Sequence, residues 1–189
     1  MGALVNTDNS IEEEIKERIA AGNRPYHVHN KLFTSKLISR NVELQHYNTL
    51  IGPTVTYASE TWVLKENMVN KLMIFERKIM RKILGPTRLD DGYWRIKSNQ
   101  GINDIVKGQN IIGFIKKQRL NWLGHVEHMA EDNNVQKIKR WKPMSKRPIG
   151  RPKIRWEDDV LNVRNWKNVA QNRDRWKKVI EQARTLNRL

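Results

Sequence analysis

Apolar residues recur at three- and four-residue steps along most of the chain, a pattern that predicts helices almost throughout. Ser10, with Glu13 three positions on, has the form of a capping box. Ile11, Ile15 and Ile19 then share one face as far as Gly22, where the first helix is expected to stop. A second stripe passes through Val28, Leu32, Phe33 and Leu37, and a short third one through Leu44, Tyr47, Leu50 and Ile51 to Gly52-Pro53. The strongest helix comes next. Val69, Leu72, Met73, Glu76, Ile79, Met80 and Ile83 line its inner face, Arg77, Lys78, Arg81 and Lys82 fall mostly off it, and Gly85-Pro86 ends it. Thr87 to Asn99 is rich in turn formers, Asp90-Asp91-Gly92 among them. A further helix carries Ile111, Ile115, Trp122, Val126 and Met129, with Lys116, Lys117 and Arg119 beside that stripe. The last is expected from about Asn165, with Trp166, Val169, Arg173, Trp176, Ile180 and Ala183 on one side. No useful length of alternating pattern marks a strand and no repeat of fixed period is present, so the predicted fold class is all-α.

Charge turns this plain helical picture into one with a polyanion partner. The 189 residues hold 36 Lys or Arg against 20 Asp or Glu, a net charge of +16. Lys and Arg gathered on one surface release condensed counterions from phosphate, so nucleic acid or an acidic membrane surface is the expected partner. Residues 1–94 carry 13 basic and 11 acidic side chains, whereas residues 95–189 carry 23 and 9, a net of +14. Nine of these cations (Lys137, Lys139, Arg140, Lys142, Lys146, Arg147, Arg151, Lys153 and Arg155) lie in a stretch without Asp or Glu. Pro143, Pro148, Pro152 and Gly150 interrupt it, which predicts an extended basic arm in place of a continuous helix.

Several function classes drop out. The absence of cysteine excludes a disulfide framework, a thiolate zinc site and a catalytic thiol. No apolar run approaches the length of a membrane span, Met1 to Thr7 is too short and polar for a signal sequence, and Asn6 stands where myristoylation needs Ser or Thr. An intracellular protein of the nucleus or cytoplasm, without membrane contact, is expected. His125, His128 and Asp132 share one helix face, but two such His without a ligand from a second element are ordinary surface groups. Trp156-Glu157-Asp158-Asp159 has the aromatic-x-Asp-Asp form of a polymerase metal turn, yet it opens a helical stretch, where acidic residues are ordinary partners of the dipole. No phosphate loop or nucleophile elbow appears. No catalytic residue, metal or cofactor is therefore expected.

Seven tryptophans beside so many cations raise the prospect of base stacking. Trp122, Trp166 and Trp176 lie in helical stripes and are expected in the core. Trp141 and Trp156 bracket the basic arm, where stacking on bases and anchoring of the arm both remain open. Trp62 and Trp94 flank turns.

The basic arm also carries a resemblance. Lys146-Arg147-Pro148-Ile149-Gly150-Arg151-Pro152-Lys153, then Arg155-Trp156-Glu157-Asp158-Asp159, resembles the Gly-Arg-Pro and Arg-Trp-x-Asp signature near the C-terminus of reverse transcriptases of non-LTR (LINE-type) retrotransposons, particularly those of insects. Further matches occur in the same order: Glu14-Ile15 with Arg18-Ile19 and Asn23-Arg24; Tyr57-Ala58-Ser59-Glu60-Thr61-Trp62; Phe75-Glu76-Arg77-Lys78-Ile79 with Leu84-Gly85-Pro86; and Arg119-Leu120 with Trp122-Leu123-Gly124-His125-Val126. In that family the palm with its metal-binding carboxylates and the endonuclease lie upstream of this region, so the resemblance implies the helical thumb and C-terminal tail of an RNA-directed DNA polymerase, non-catalytic alone. The ten-residue step from Trp156 to Trp166 is shorter than the family's and would rotate the last helix. The zinc knuckle some members carry is excluded by the absence of cysteine.

The expected organisation is a tail over 1–9, a thumb-like domain over 10–86, a connector and helix over 87–130, the basic arm over 131–156 and a helical segment over 157–189. By resemblance, Arg77, Lys78, Arg81 and Lys82 would face a nucleic-acid backbone. The arm, with Trp141 and Trp156, would be a second grip, and Lys116, Lys117 and Arg119 would add to it. Its Gly-Arg-Pro core suits a narrow minor groove as AT-hook peptides do, although Ile149 replaces a basic residue there. The expected partner is RNA or DNA, met through phosphate contacts, with the oligomeric state left open. Two other classes stay in view: a helical protein-interaction module kept after the polymerase role was lost, and a working polymerase.

Overall fold

The computed structural model describes residues 2–4, 11–35, 37–141, 156 and 166–183, and within them the chain is all-α apart from one short hairpin. α1 (Ile11–Val28) buries Ile15, Arg18, Ala21 and Tyr26. It runs past Gly22, contrary to the expected stop. A Cβ at Gly22 would lie 2.2 Å from Cγ2 of Val55 and 3.1 Å from Phe75, so the glycine serves close packing and not termination. Ser10 lies outside the described residues. Glu14 and Arg18 are both buried on α1 and paired at 2.7 Å; Glu14 also accepts the N–H of Leu4, and Arg18 donates to the carbonyl of Gly2.

After a 3-10 turn (Leu32–Thr34), α2 (Arg40–His46) passes through one π-type turn (Tyr47–Ile51) into α3 (Gly52–Val55). The third stripe thus continues beyond Gly52-Pro53, because Pro53 sits in the first turn of α3, where its missing N–H breaks no helical bond. Ala58 adopts φ 58° ahead of a 3-10 turn (Ser59–Thr61), and Trp62 behind it is fully buried. α4 (Glu66–Leu84) buries Met68, Leu72, Phe75, Glu76, Ile79, Met80, Ile83 and Leu84. It ends where Gly85 takes φ 64°.

The turn-rich stretch is an exposed hairpin, β1 (Thr87–Arg88) against β2 (Trp94–Arg95), antiparallel with Thr87 opposite Arg95. Its two-residue strands lie below what alternation can reveal. α5 (Asn99–Ile105) and α6 (Ile111–Glu127) come next, each with a side-chain cap: Ser98 accepts the N–H of Gly101, and Asn110 that of Gly113. α7 (Asn134–Arg140), α8 (Trp166–Gln171) and α9 (Arg173–Ala183) complete the described helices.

Two apolar clusters hold these elements, and α6 belongs to both. Ile111, Ile112 and Ile115 join the large cluster built from α1 to α5, which includes Ile15, Ile51, Val55, Trp62, Leu72 and Ile79. Leu120 and Leu123 join a smaller one with Ala170, Trp176, Ile180 and Ala183 from α8 and α9. Trp176 lies so close to α6 that a Cβ on Gly124 would stand 2.3 Å from its Nε1, which donates to the carbonyl of Leu120 at 3.1 Å.

Between the clusters the buried face of α6 moves round the helix by roughly a quarter turn, at about 100° per residue. Trp122, aligned with Ile115 in sequence, falls on the rim of the second half and is 40% exposed. The expected core position is corrected accordingly. Trp176 is buried as expected; Trp166 is only partly buried.

Candidate functional site

The expected cations of α4 separate into two kinds. Lys78 and Lys82 are exposed one turn apart, Lys82 in the last turn of the helix. Arg81 is half-buried and donates to the carbonyl of Lys97 at 3.3 Å and to Oδ1 of Asn99 at 2.5 Å, tying the end of α4 to the segment after the hairpin. Arg77 is half-buried beside Asn70, Glu76 and Asn103.

On α6, Lys116 and Lys117 are half-buried, and Lys117 pairs with Glu181 of α9 at 3.2 Å. Arg119 is only 2% exposed. Its guanidinium lies 5.7 Å from the Trp156 ring and donates to the Trp156 carbonyl at 3.3 Å, so the structure gives it an interior role and takes it out of reach of a polyanion. Trp156 is itself partly buried against the smaller cluster, and its Nε1 donates to the carbonyl of Glu60 at 2.7 Å. Of the two roles open to Trp156, the geometry displays anchoring.

Part of the stretch expected to be extended is helical. Lys137, Lys139 and Arg140 belong to α7, a helix started by Asn133, whose side chain accepts the N–H of Val135. Gln136 holds it against α6 by donating to the Val126 carbonyl. The helix-breaking prolines come only later, from Pro143. Lys137 is exposed; Lys139 pairs with Glu127 and lies over the Trp166 ring at 5.1 Å; Arg140 pairs with Glu131 at 3.1 Å. Lys142, Lys146, Arg147, Arg151, Lys153 and Arg155, with Glu157 to Asp159, lie outside the described residues.

Trp141, at the end of α7, is 68% exposed, and Trp94 on the hairpin is also exposed. Between α6 and α7 runs a groove of about 470 Å³ walled by Trp122, Val126, Val135, Ile138 and Trp156. His125 on the same side of α6 is exposed, its ring 5.7 Å from Trp122, and no group of three or more His, Asp or Glu that could hold a metal occurs among the described residues. No helix there is long and apolar enough to cross a membrane.

A residue with unusual chemistry, not singled out by its motif, is Glu76. Its buried carboxylate accepts the first N–H of α6, from Ile111, through both oxygens at 2.9 and 3.0 Å, and the Tyr47 hydroxyl at 3.3 Å. Burial pushes its pKa up to about 7, against the opposing effect of those two donors. Burial and the neighbouring Glu76 in turn push the Tyr47 phenol above its usual range. The signal in the sequence was a carboxylate inside an apolar stripe. Glu76 lines a cavity of about 430 Å³ with Tyr47, Thr56, Asn110 and Phe114.

Among the described residues, the buried members of the motif blocks hold the fold together. Glu14 with Arg18, Ser59, Trp62, Glu76, Arg119 and Gly124 all support packing, and Arg18 lies 4.6 Å over Tyr57 from another block. Neither a protein-family model nor a solved structure matches the chain. Among curated proteins it is similar to an uncharacterised transposon-derived protein of Caenorhabditis elegans, 23% identical over 197 residues that take in 98% of this chain and 70% of the relative. This distant similarity points to a transposon-related origin.

Proposed function

We propose that this chain is a nucleic-acid-binding remnant of a non-LTR (LINE-type) retrotransposon reverse transcriptase, comparable to the thumb and tail of that polymerase, and that it grips RNA or DNA through phosphate. The observation that carries the reading is the segregation of charge: a net of +14 in residues 95–189, nine cations of it in the acid-free stretch 137–155. The ordered motif blocks and the transposon-derived relative support the origin. Within the described residues Lys78, Lys82 and Lys137 are exposed for such contacts, whereas Arg119 is withdrawn. The role assigned is binding, with no step of nucleotide transfer.

Titration of the protein against RNA and duplex DNA at several salt concentrations tests this. Log affinity should fall with log salt at about 0.9 per phosphate neutralised on duplex DNA, and replacing Arg151, Lys153 and Arg155 by Gln should make that slope shallower. Absent or salt-independent binding refutes the proposal.

A further inference from the structure

We propose that the cavity beside Glu76 binds a small organic cation, a primary amine carried on an aromatic or branched aliphatic body. The site is independent of the contacts assigned to nucleic acid. Its walls come from five parts of the fold: Tyr47 from the π-type turn after α2, Pro53 from α3, Glu76 and Met80 from α4, Val106 from the residue after α5, and Phe114 from α6. A volume of about 430 Å³ falls within the range of small-molecule sites. Ile105 and Phe114, both in the lining, are exposed, so part of the apolar wall meets water.

An apolar cavity alone would suit many ligands; the carboxylate in its wall selects one class. Glu76 is 7% exposed, and its partners are two neutral donors. Oε1 accepts from Tyr47 and from Ile111, whereas Oε2 accepts only the shared Ile111 N–H at 3.0 Å. A carboxylate oxygen has two acceptor positions, so Oε2 keeps a place for a further donor. Burial is the largest influence on this group and disfavours its charge; Arg77, the cation that acts on it, is the least of four. Lys107, the other charged residue of the lining, is exposed and does not figure among them. A buried carboxylate in that position is the complement of an ammonium group, which brings both the opposite charge and the donors. A neutral ligand leaves the charge unmatched, and an anion adds a like one.

Calorimetric titration of the full chain tests this with three probes: phenethylamine, a cation at neutral pH; phenethyl alcohol, its neutral counterpart with the same number of heavy atoms; and phenylacetate, an anion. The net charge of +16 leaves an amine few competing sites on this chain. At about pH 8, where Glu76 is ionised, the amine should bind about tenfold or more tighter than the alcohol, and phenylacetate weakest. At about pH 6 the carboxyl holds its proton and pairing with the ammonium expels it, so amine binding should release close to one proton, against almost none at about pH 8. Heats measured in two buffers of different ionisation enthalpy read that release. Tyr47, the other acid at the site, is held above its usual range and does not contribute to it. Glu76→Gln should abolish both the release and the preference for the amine. Phe114→Ala, at an exposed position, should weaken amine and alcohol by the same factor, about three- to tenfold. Equal affinity of the parent for amine and alcohol, tighter binding of phenylacetate, a Glu76→Gln variant that still prefers the amine, or no saturable binding by the parent overturns the proposal and leaves the proposed grip on phosphate as it was.

Discussion

Glu76 shows how one buried carboxylate contributes to the pH response of this fold. Its pKa is about 7 in the folded chain, against 4.5 as the ordinary value, so the folded state holds a proton that the unfolded state has released between those two limits. Stability should then fall as pH rises from about 4.5 to 7, by up to about 3 kcal/mol, and change little above that from this group. Urea unfolding across that range reads the slope directly. Glu76→Gln, which retains an acceptor for Ile111, should flatten it; an unchanged slope would locate the proton elsewhere. Gly124 makes a second residue-scale case. Alanine there gains about 1 kcal/mol of helix propensity but drives a methyl into Trp176, an overpacking cost of about 1–3 kcal/mol. Gly124→Ala should lower the midpoint of denaturation, and a variant as stable as the parent contradicts the close contact. The sequence carries a trace of Glu76 and none of the role of Gly124. Glu76 sat among apolar neighbours at helical spacing, and Gly124 has a meaning only because Trp176, some fifty residues away, packs on it.

At the scale of elements, periodicity located α4 and α6 well, because each presents a long apolar face bounded by a stop or a cap. It failed where a helix changes partners. The stripe on α6 assumed one buried face, whereas Leu120 and Leu123 point into a second cluster and leave Trp122 at the surface. It failed again where a breaker was tolerated: Gly22 packs inside α1 and Pro53 opens α3, positions that spacing alone reads as ends. α7 was hidden by its own charge, since four of its seven residues are Lys, Arg or Gln and its docking depends on Gln136. The caps are directly testable. Ser98→Ala and Asn110→Ala each remove an acceptor from a first-turn N–H and should each cost about 1 kcal/mol, measured by chemical denaturation. The Asn110 change should cost no less than the Ser98 change, because α6 serves both clusters.

For the whole molecule, the sharing of α6 sets how the chain unfolds. Many of the described motif residues, such as Arg18, Trp62, Glu76 and Gly124, lie inside this structure, so that part of the resemblance reports on packing, while the exposed cations expected to meet a partner are legible only as composition and charge. Leu123→Ala, in the smaller cluster, should cost about 2–5 kcal/mol and lower the unfolding midpoint reported from α1 as well as from α9. Hydrogen exchange resolved by segment would show it, and an α1 that keeps its protection would mean two independent units. The same notch on α6 has a consequence during synthesis. Gly124 leaves the ribosome roughly fifty residues ahead of Trp176, a delay of about 3–10 s at ordinary elongation rates. Through that interval Leu120 and Leu123 lack the side chains of α8 and α9 that cover them, so these helices act as a clasp that closes only after Trp176 has been made.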